Sequence, residues 1–201
     1  MRIGLLLAAG RSTRFGRDKR FECLPDDTPI VLASAMNLKP AVDRLFVAIH
    51  EEDQALEALL TAAEMEFFVC PDALEGMGNS IANVSRQVLQ KLSEEGQTAH
   101  QCVLALADMP FIHPSSYQRI VEALEQGASI VRPEYHGHTG HPVGFAAHWW
   151  PSLLELNGEQ GARDLIASHK DQLTLLACDD PGVVLDIDRP EDLFPPDASL
   201  C

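Results

Sequence analysis

The chain has 201 residues, 46% hydrophobic and 22% charged, values that suit a globular domain with its own core and argue against disorder. Thirty acidic against fifteen basic residues leave a formal charge of −15, which repels duplex DNA and anionic lipid and makes any anionic ligand dependent on a local cluster of cations. The five cysteines are scattered without a C-x-x-C pair, and no apolar run reaches the ~20 residues a bilayer requires, so we expect free thiols and a cytoplasmic protein with no membrane or nucleic-acid partner.

Ile3 to Ala9 is a continuous apolar run closed by Gly10, the pattern of a strand covered on both faces. Further strands are expected over 45–49, 66–69, 103–107, 129–132, 143–146, 173–177 and 183–187. Leu56, Leu59, Leu60 and Ala63 recur at helical spacing, and Ile81, Val84 and Val88 mark another helix with Asn79 or Ser80 as its N-cap. Tyr117, Ile120, Val121 and Leu124 repeat the stripe, with Gly127 as a stop signal. Strands alternating with single helices predict an α/β domain: three layers around a mostly parallel, Rossmann-like sheet. There is no internal repeat and no Gly/Ser-rich linker, so one domain is expected over 1–194, followed by a frayed tail over 195–201.

The segment from Leu7 to Lys19, LAAGRSTRFGRDK, carries a buried strand straight into a loop with two glycines, two hydroxyls and four cations. In so acidic a chain this is a local reversal of sign. Gly10 lets a ligand approach the backbone N–H groups, Arg14 can grip a phosphate through two parallel hydrogen bonds, and Lys19 supplies a compact positive charge. A solvated basic turn would present the same residues. The spacing matches neither G-x-G-x-x-G nor the P-loop. Asp108 ends the strand that precedes Met109-Pro110, where a carboxylate can seat a hard cation or cap a turn. Asp186 and Asp188 lie on one face of an extended segment by alternation. Gly76-Met77-Gly78-Asn79-Ser80 is a supple turn opening a helix. His136, His138 and His141 could bind a transition metal, although the two intervening glycines leave the loop supple. Trp149 and Trp150 suit a core cover or a pocket edge.

L-A-A-G-x-S-x-R-F-G-x-D-K resembles the signature of the nucleotidyltransferases that include the molybdenum cofactor cytidylyl- and guanylyltransferases. Five further segments match in order: 76–80, Leu106-Ala107-Asp108-Met109-Pro110, Gly140-His141-Pro142-Val143, Gly161-Ala162-Arg163-Asp164-Leu165 and Asp186 to Leu193. The resemblance implies a fold of the nucleotide-diphospho-sugar transferase type and transfer of CMP from CTP to the phosphate of molybdopterin, with release of pyrophosphate. It implies nucleotide contacts at Leu7, Ala8, Ala9, Gly10, Arg14, Lys19 and Ser80, with Arg14, Lys19 and Asp108 as the catalytic set. Magnesium would sit on Asp108 and a second aspartate, for which Asp188 is favoured over Asp186. His141 and Pro142 would face the second substrate, and a molybdenum hydroxylase would be the eventual partner. Ala9 resembles the cytidylyl form L-A-A-G and not L-A-G-G, which favours CTP over GTP. The Leu106-Ala107-Asp108 and Phe21-Glu22-Cys23 stretches depart from the subgroup's usual pattern. Relatives of the group also include a nicotinamide-dependent oxidoreductase and a cofactor-delivery chaperone.

Overall fold

The structure is a computed structural model that describes residues 1–10, 15 and 18–194. Its first strand, β1 (Arg2–Leu7), occupies the centre of an eight-stranded sheet. The chain then forms α1 (Ile30–Leu38), β2 (Arg44–Ile49), α2 (Gln54–Ala62), β3 (Glu66–Val69) and α3 (Met77–Glu94). β4 (Gln101–Leu106), α4 (Pro114–Glu125), β5 (Ile130–Tyr135), β6 (His138–Thr139) and β7 (Val143–Ala146) follow. α5 (Trp150–Leu154), α6 (Arg163–Ser168) and β8 (Leu173–Ala177) complete the regular elements.

The strand order is β3-β2-β1-β4-β7-β5-β6, with β8 paired to β5. β3, β2, β1 and β4 run parallel, as does the β5–β8 pair, whereas β7 lies antiparallel to both β4 and β5. The expected α/β class with a mostly parallel sheet is therefore the one observed. β7 reverses because only a short hairpin separates it from β5, and a parallel return needs a dozen or more residues of crossover.

The two faces of β1 explain its unbroken apolar run. Ile3, Leu5, Leu7 and Ala9 pack against Ile81, Val84 and Val88 of α3, Trp150 and Leu153 of α5, and Ile166 of α6. Leu6 and Ala8 point the other way, onto Val31, Ala35 and Leu38 of α1, Leu56 and Leu60 of α2, and Tyr117 and Val121 of α4. A strand sandwiched between two helical layers cannot spare a polar position on either side. Trp149 and Trp150 both belong to this core, with Trp149 Nε1 donating to Ser129 Oγ at 2.9 Å.

Two expectations need correction, and one helix was not expected. Residues 183–187 are not a strand: Pro181–Val184 form a 3-10 turn, because Asp180 accepts from Gly182 N and Pro181 withholds a ladder donor. α3 begins at Met77 with Gly76 as its N-cap, so Asn79 and Ser80 lie inside the first turn. α1 carried no expectation at all, since its apolar residues run on both sides of the helix, six of its nine being buried.

Candidate active site

β1 is flanked by β2 on one side and β4 on the other, so the strand order reverses direction there. In an open α/β sheet the crevice beyond the carboxyl ends of strands at such a point is where ligands collect. A cleft of about 590 Å³ occupies that position. Its floor is made by Leu7, Ala8, Ala9 and Gly10 after β1 and by Leu106, Ala107 and Asp108 after β4. The hydrogen bond from Ala107 N to Leu7 O (3.0 Å) carries the β1–β4 pairing right up to it.

The cationic wall is built by Lys19 and Arg20, which follow the signature loop in a short 3-10 turn. Lys19 Nζ lies 2.9 Å from Asp108 Oδ2, 3.2 Å from Asp188 Oδ1 and 2.5 Å from the carbonyl oxygen of Ile187. Burial works against the lysine's charge, but Asp108 and then Asp188 outweigh it and hold its pKa above the ordinary value. Ile187 N donates to Asp108 O at 2.9 Å, so the 186–188 segment is strapped across the end of β4 instead of pairing as a strand. This strap delivers Asp188 to the cleft wall and leaves Asp186 exposed and off it. Asp186 keeps much of its surface in water, but partial desolvation of the carboxyl, with the neighbouring Asp108 and Asp188 charges, still raises its pKa above the ordinary value.

Arg20 is the residue that sequence reasoning missed. It is buried, and its Nη1 donates to Ala8 O at 2.5 Å while Nη1 and Nη2 grip Asp53 at 2.5 and 2.8 Å. Nε and Nη2 also hold Asp18 at 2.8 and 2.6 Å. Asp53 in turn accepts from His50 N at 3.1 Å, tying the assembly to the end of β2. The Asp18 carboxyl pays a burial penalty that Arg20 overcomes, and its pKa falls below the ordinary range. Nothing in an Asp-Lys-Arg tripeptide distinguishes this buried fork from a solvated turn, and Asp53 sits in an acidic surface-like run.

The third wall comes from Ala73, Leu74, Gly76, Met77 and Ser80 at the start of α3, joined by Glu159. Gly76 and Gly78 are needed for this junction: an added Cβ would lie 2.3 Å from the Gly158 carbonyl at one and 2.4 Å from Asn157 O at the other. Gly78 N donates to Gly158 O at 2.8 Å, and Gly158 N donates to Asn79 Oδ1 at 2.7 Å. That double tie is what brings Glu159 to the cleft. Ser80 is buried on the same wall, its hydroxyl turned to Gly76 O at 3.4 Å.

Arg14, with residues 11–13 and 16–17, lies outside the described residues, as does the 195–201 tail. His141 and Pro142 do not line the cleft. His141 Nδ1 is buried without a hydrogen-bond partner among the described residues, and burial followed by the Arg132 charge pushes the imidazole down to about 4. His136 and Gly137 form the two-residue turn between β5 and β6, both with positive φ, and His138 opens β6. Among the described residues no group of three or more His, Cys, Asp or Glu could hold a metal, so the three histidines do not converge.

The donor set around Lys19 Nζ bears on magnesium. Two carboxylates and a carbonyl converge on one cation, all hard oxygens. Magnesium usually takes one or two carboxylates and completes its shell with water and substrate phosphates, so Asp108 and Asp188 fit that ion.

Comparison with known proteins then decides the family. The MobA-like NTP transferase domain matches residues 4–174. The chain belongs to this family and is a nucleotidyltransferase. It is 28% identical over 200 residues to the purine catabolism protein PucB of Bacillus subtilis (strain 168), covering 94% of this chain and 93% of that one. The crystal structure of Rv0371c from Mycobacterium tuberculosis H37Rv superposes with a TM-score of 0.79 at 27% identity, over 94% of each chain. A complex of Rv0371C with manganese gives a TM-score of 0.74 at 26% identity, over 95% of each. No helix among the described residues is long and apolar enough to cross a membrane.

Proposed function

We propose that this MobA-like transferase moves CMP from CTP to the phosphate of a molybdopterin cofactor and releases pyrophosphate. The observation that carries the reading is the cation site at the cleft floor, where Lys19 sits among Asp108, Asp188 and Ile187 O. A phosphate monoester is already anionic at neutral pH, so one of its oxygens can attack the α-phosphorus without a general base. The new P–O bond forms as the bond to the pyrophosphate oxygen breaks, and pyrophosphate leaves with the electron pair. The site's work is therefore to align two anions and neutralise their charge.

Lys19 and Arg14 would hold the triphosphate, and the backbone from Leu7 to Gly10 would carry the base and ribose against Ser80. Asp108 and Asp188 would hold magnesium, which when bound screens the phosphates and orients the α-phosphorus. A manganese complex of a relative at 26% identity is consistent with a divalent ion in this family. Ala9 is buried at the cleft floor, and its place in Leu7-Ala8-Ala9-Gly10 resembles the L-A-A-G form of the cytidylyl members. His141 and Pro142, set back from the cleft, would support the second-substrate side only through the residues in front of them, and a molybdenum hydroxylase would receive the product. The enzyme would work in the cytoplasm, where nucleoside triphosphates are available.

The test is a panel of CTP, GTP, ATP and UTP, each offered with molybdopterin and magnesium and scored for labelled pyrophosphate. Release with CTP alone is expected, and Asp108→Ala should abolish it while the circular dichroism spectrum and melting temperature stay those of the wild type. Release with GTP instead, or undiminished turnover in Asp108→Ala, would overturn the assignment. Tight NADPH binding with no pyrophosphate release would favour the oxidoreductase.

A further inference from the structure

The Lys19 ammonium is enclosed by oxygen. Asp108 Oδ2 and Asp188 Oδ1 flank Nζ at 2.9 and 3.2 Å, and the carbonyl oxygen of Ile187 accepts from it at 2.5 Å. Only 13% of the side chain is exposed, so the charge is turned to these protein oxygens. The oxygens are held from behind. Ile187 is fully buried and its N donates to Asp108 O at 2.9 Å, while Asp192 Oδ2 accepts from Asp188 N and Arg189 N at 2.9 and 2.7 Å. The backbone of Lys19 is held as well, in the 3-10 turn capped by Asp18 and followed by the buried Arg20. What remains able to move is the four-carbon side chain with its rotatable donors.

Neither duty of the site can be met from this position. A divalent ion shared by Asp108 and Asp188 would sit between them, about 2.1 Å from each oxygen, in the space that the ammonium fills. Two cations cannot share that space. An ammonium has three N–H donors, and with all three on these oxygens it has none to give a phosphate.

We propose that the Lys19 ammonium keeps the divalent ion's place in the free enzyme and yields it only when a polyphosphate draws the side chain outward. The polyphosphate replaces the anionic partners that the lysine leaves, and the divalent ion replaces the charge that the two carboxylates lose. Metal and nucleotide are then positively coupled, because each displaces the same side chain. Until both arrive, the lysine partly neutralises Asp108 and Asp188, which in a chain of charge −15 would otherwise attract stray cations. The inference rests on the nucleotidyl-transfer reading for the polyphosphate being that of a nucleoside triphosphate.

Manganese(II) alone is the probe, titrated into the full chain without nucleotide and followed by the electron paramagnetic resonance signal of the free ion. Lys19→Met should bind it at least tenfold more tightly than the wild type, and adding Asp108→Asn to that variant should abolish the gain. Lys19→Gln keeps an N–H donor for the same oxygens without the charge; it is the second variant if Lys19→Met does not fold, and it should gain at least threefold. Equal manganese affinity in the wild type and the folded lysine variant, or a gain that survives Asp108→Asn, would overturn the exchange. CTP with magnesium is titrated calorimetrically into the wild type as a separate measurement. CTP binding without a manganese gain would keep the nucleotide reading and sink the exchange. A manganese gain in a chain that ignores CTP would sink that reading and uphold the lysine as the ion's placeholder.

Discussion

At the scale of single residues, the cleft depends on where two cations sit. Lys19 touches three oxygens that would otherwise repel the phosphates of a nucleotide. Lys19→Ala should lower kcat/KM by roughly 2–4 kcal/mol of transition-state stabilisation, the scale of losing one charged donor, and steady-state kinetics with saturating acceptor would read it. Arg20 works differently, since every one of its donors is spent on protein oxygens. Its removal strands Asp53 and leaves Ala8 O without its donor at the cleft floor. Arg20→Met should cost about 2–3 kcal/mol, below the full buried-pair figure because Asp18 is 37% exposed, and urea denaturation would measure it. A midpoint within error of the wild type would mean that the fork is only a surface pair. Lys19 and Asp108 were both visible in the sequence through motif and position; Arg20 was not, because its significance lies in burial and in a partner 33 residues away.

At the scale of elements, the cleft is held open by two connections that pack backbone on backbone. The Gly76–Gly78 turn lies against Asn157 and Gly158 so closely that no side chain fits. Gly78→Ala would force the Asn157 loop away and carry Glu159 with it. The expected loss is about 1–3 kcal/mol of stability, the usual cost of overpacking, and a weaker nucleotide affinity seen by calorimetry should accompany it. Stability unchanged and affinity unchanged would show that the loop gives way freely. The second connection is the strap from Ile187 to Asp188, for which alternation along a strand was the wrong expectation. Its geometry comes from the Asp180–Gly182 turn and from Ile187 N meeting Asp108 O, so the two aspartates part company: one enters the cleft and the other stays outside.

At the scale of the whole molecule, the −15 charge and the buried imidazole govern the response to pH. His141 is held at about 4 in the fold, first by burial and then by Arg132. The unfolded chain therefore binds more protons than the folded one between that value and the ordinary histidine pKa near 6.5. Stability from this group is full above about 6.5 and is lost as pH falls toward about 4. Asp18 and Asp43 have lowered pKa values, so their contribution disappears only below the ordinary carboxylate range, and Asp186, raised, acts in the opposite sense just above it. Between about pH 7.5 and about pH 5 the wild type should lose about 2 kcal/mol, read as a fall in urea midpoint, and His141→Gln should flatten that slope. An equal slope in the variant would assign the effect to other groups.

Periodicity and composition were sufficient for the α/β class, for β1 as a doubly covered strand, and for most of the other strands, because apolar spacing is a local consequence of which faces are buried. Motif and position, read with them, pointed to Lys19 and Asp108, which the fold brings together on one cleft. Only the tertiary structure could turn β7 antiparallel, split Asp186 from Asp188, bury Arg20 against Asp53, and withdraw His141 from the cleft. Each of these depends on contacts between segments far apart in the chain, where a close backbone approach or a buried charge selects one arrangement that no local pattern encodes.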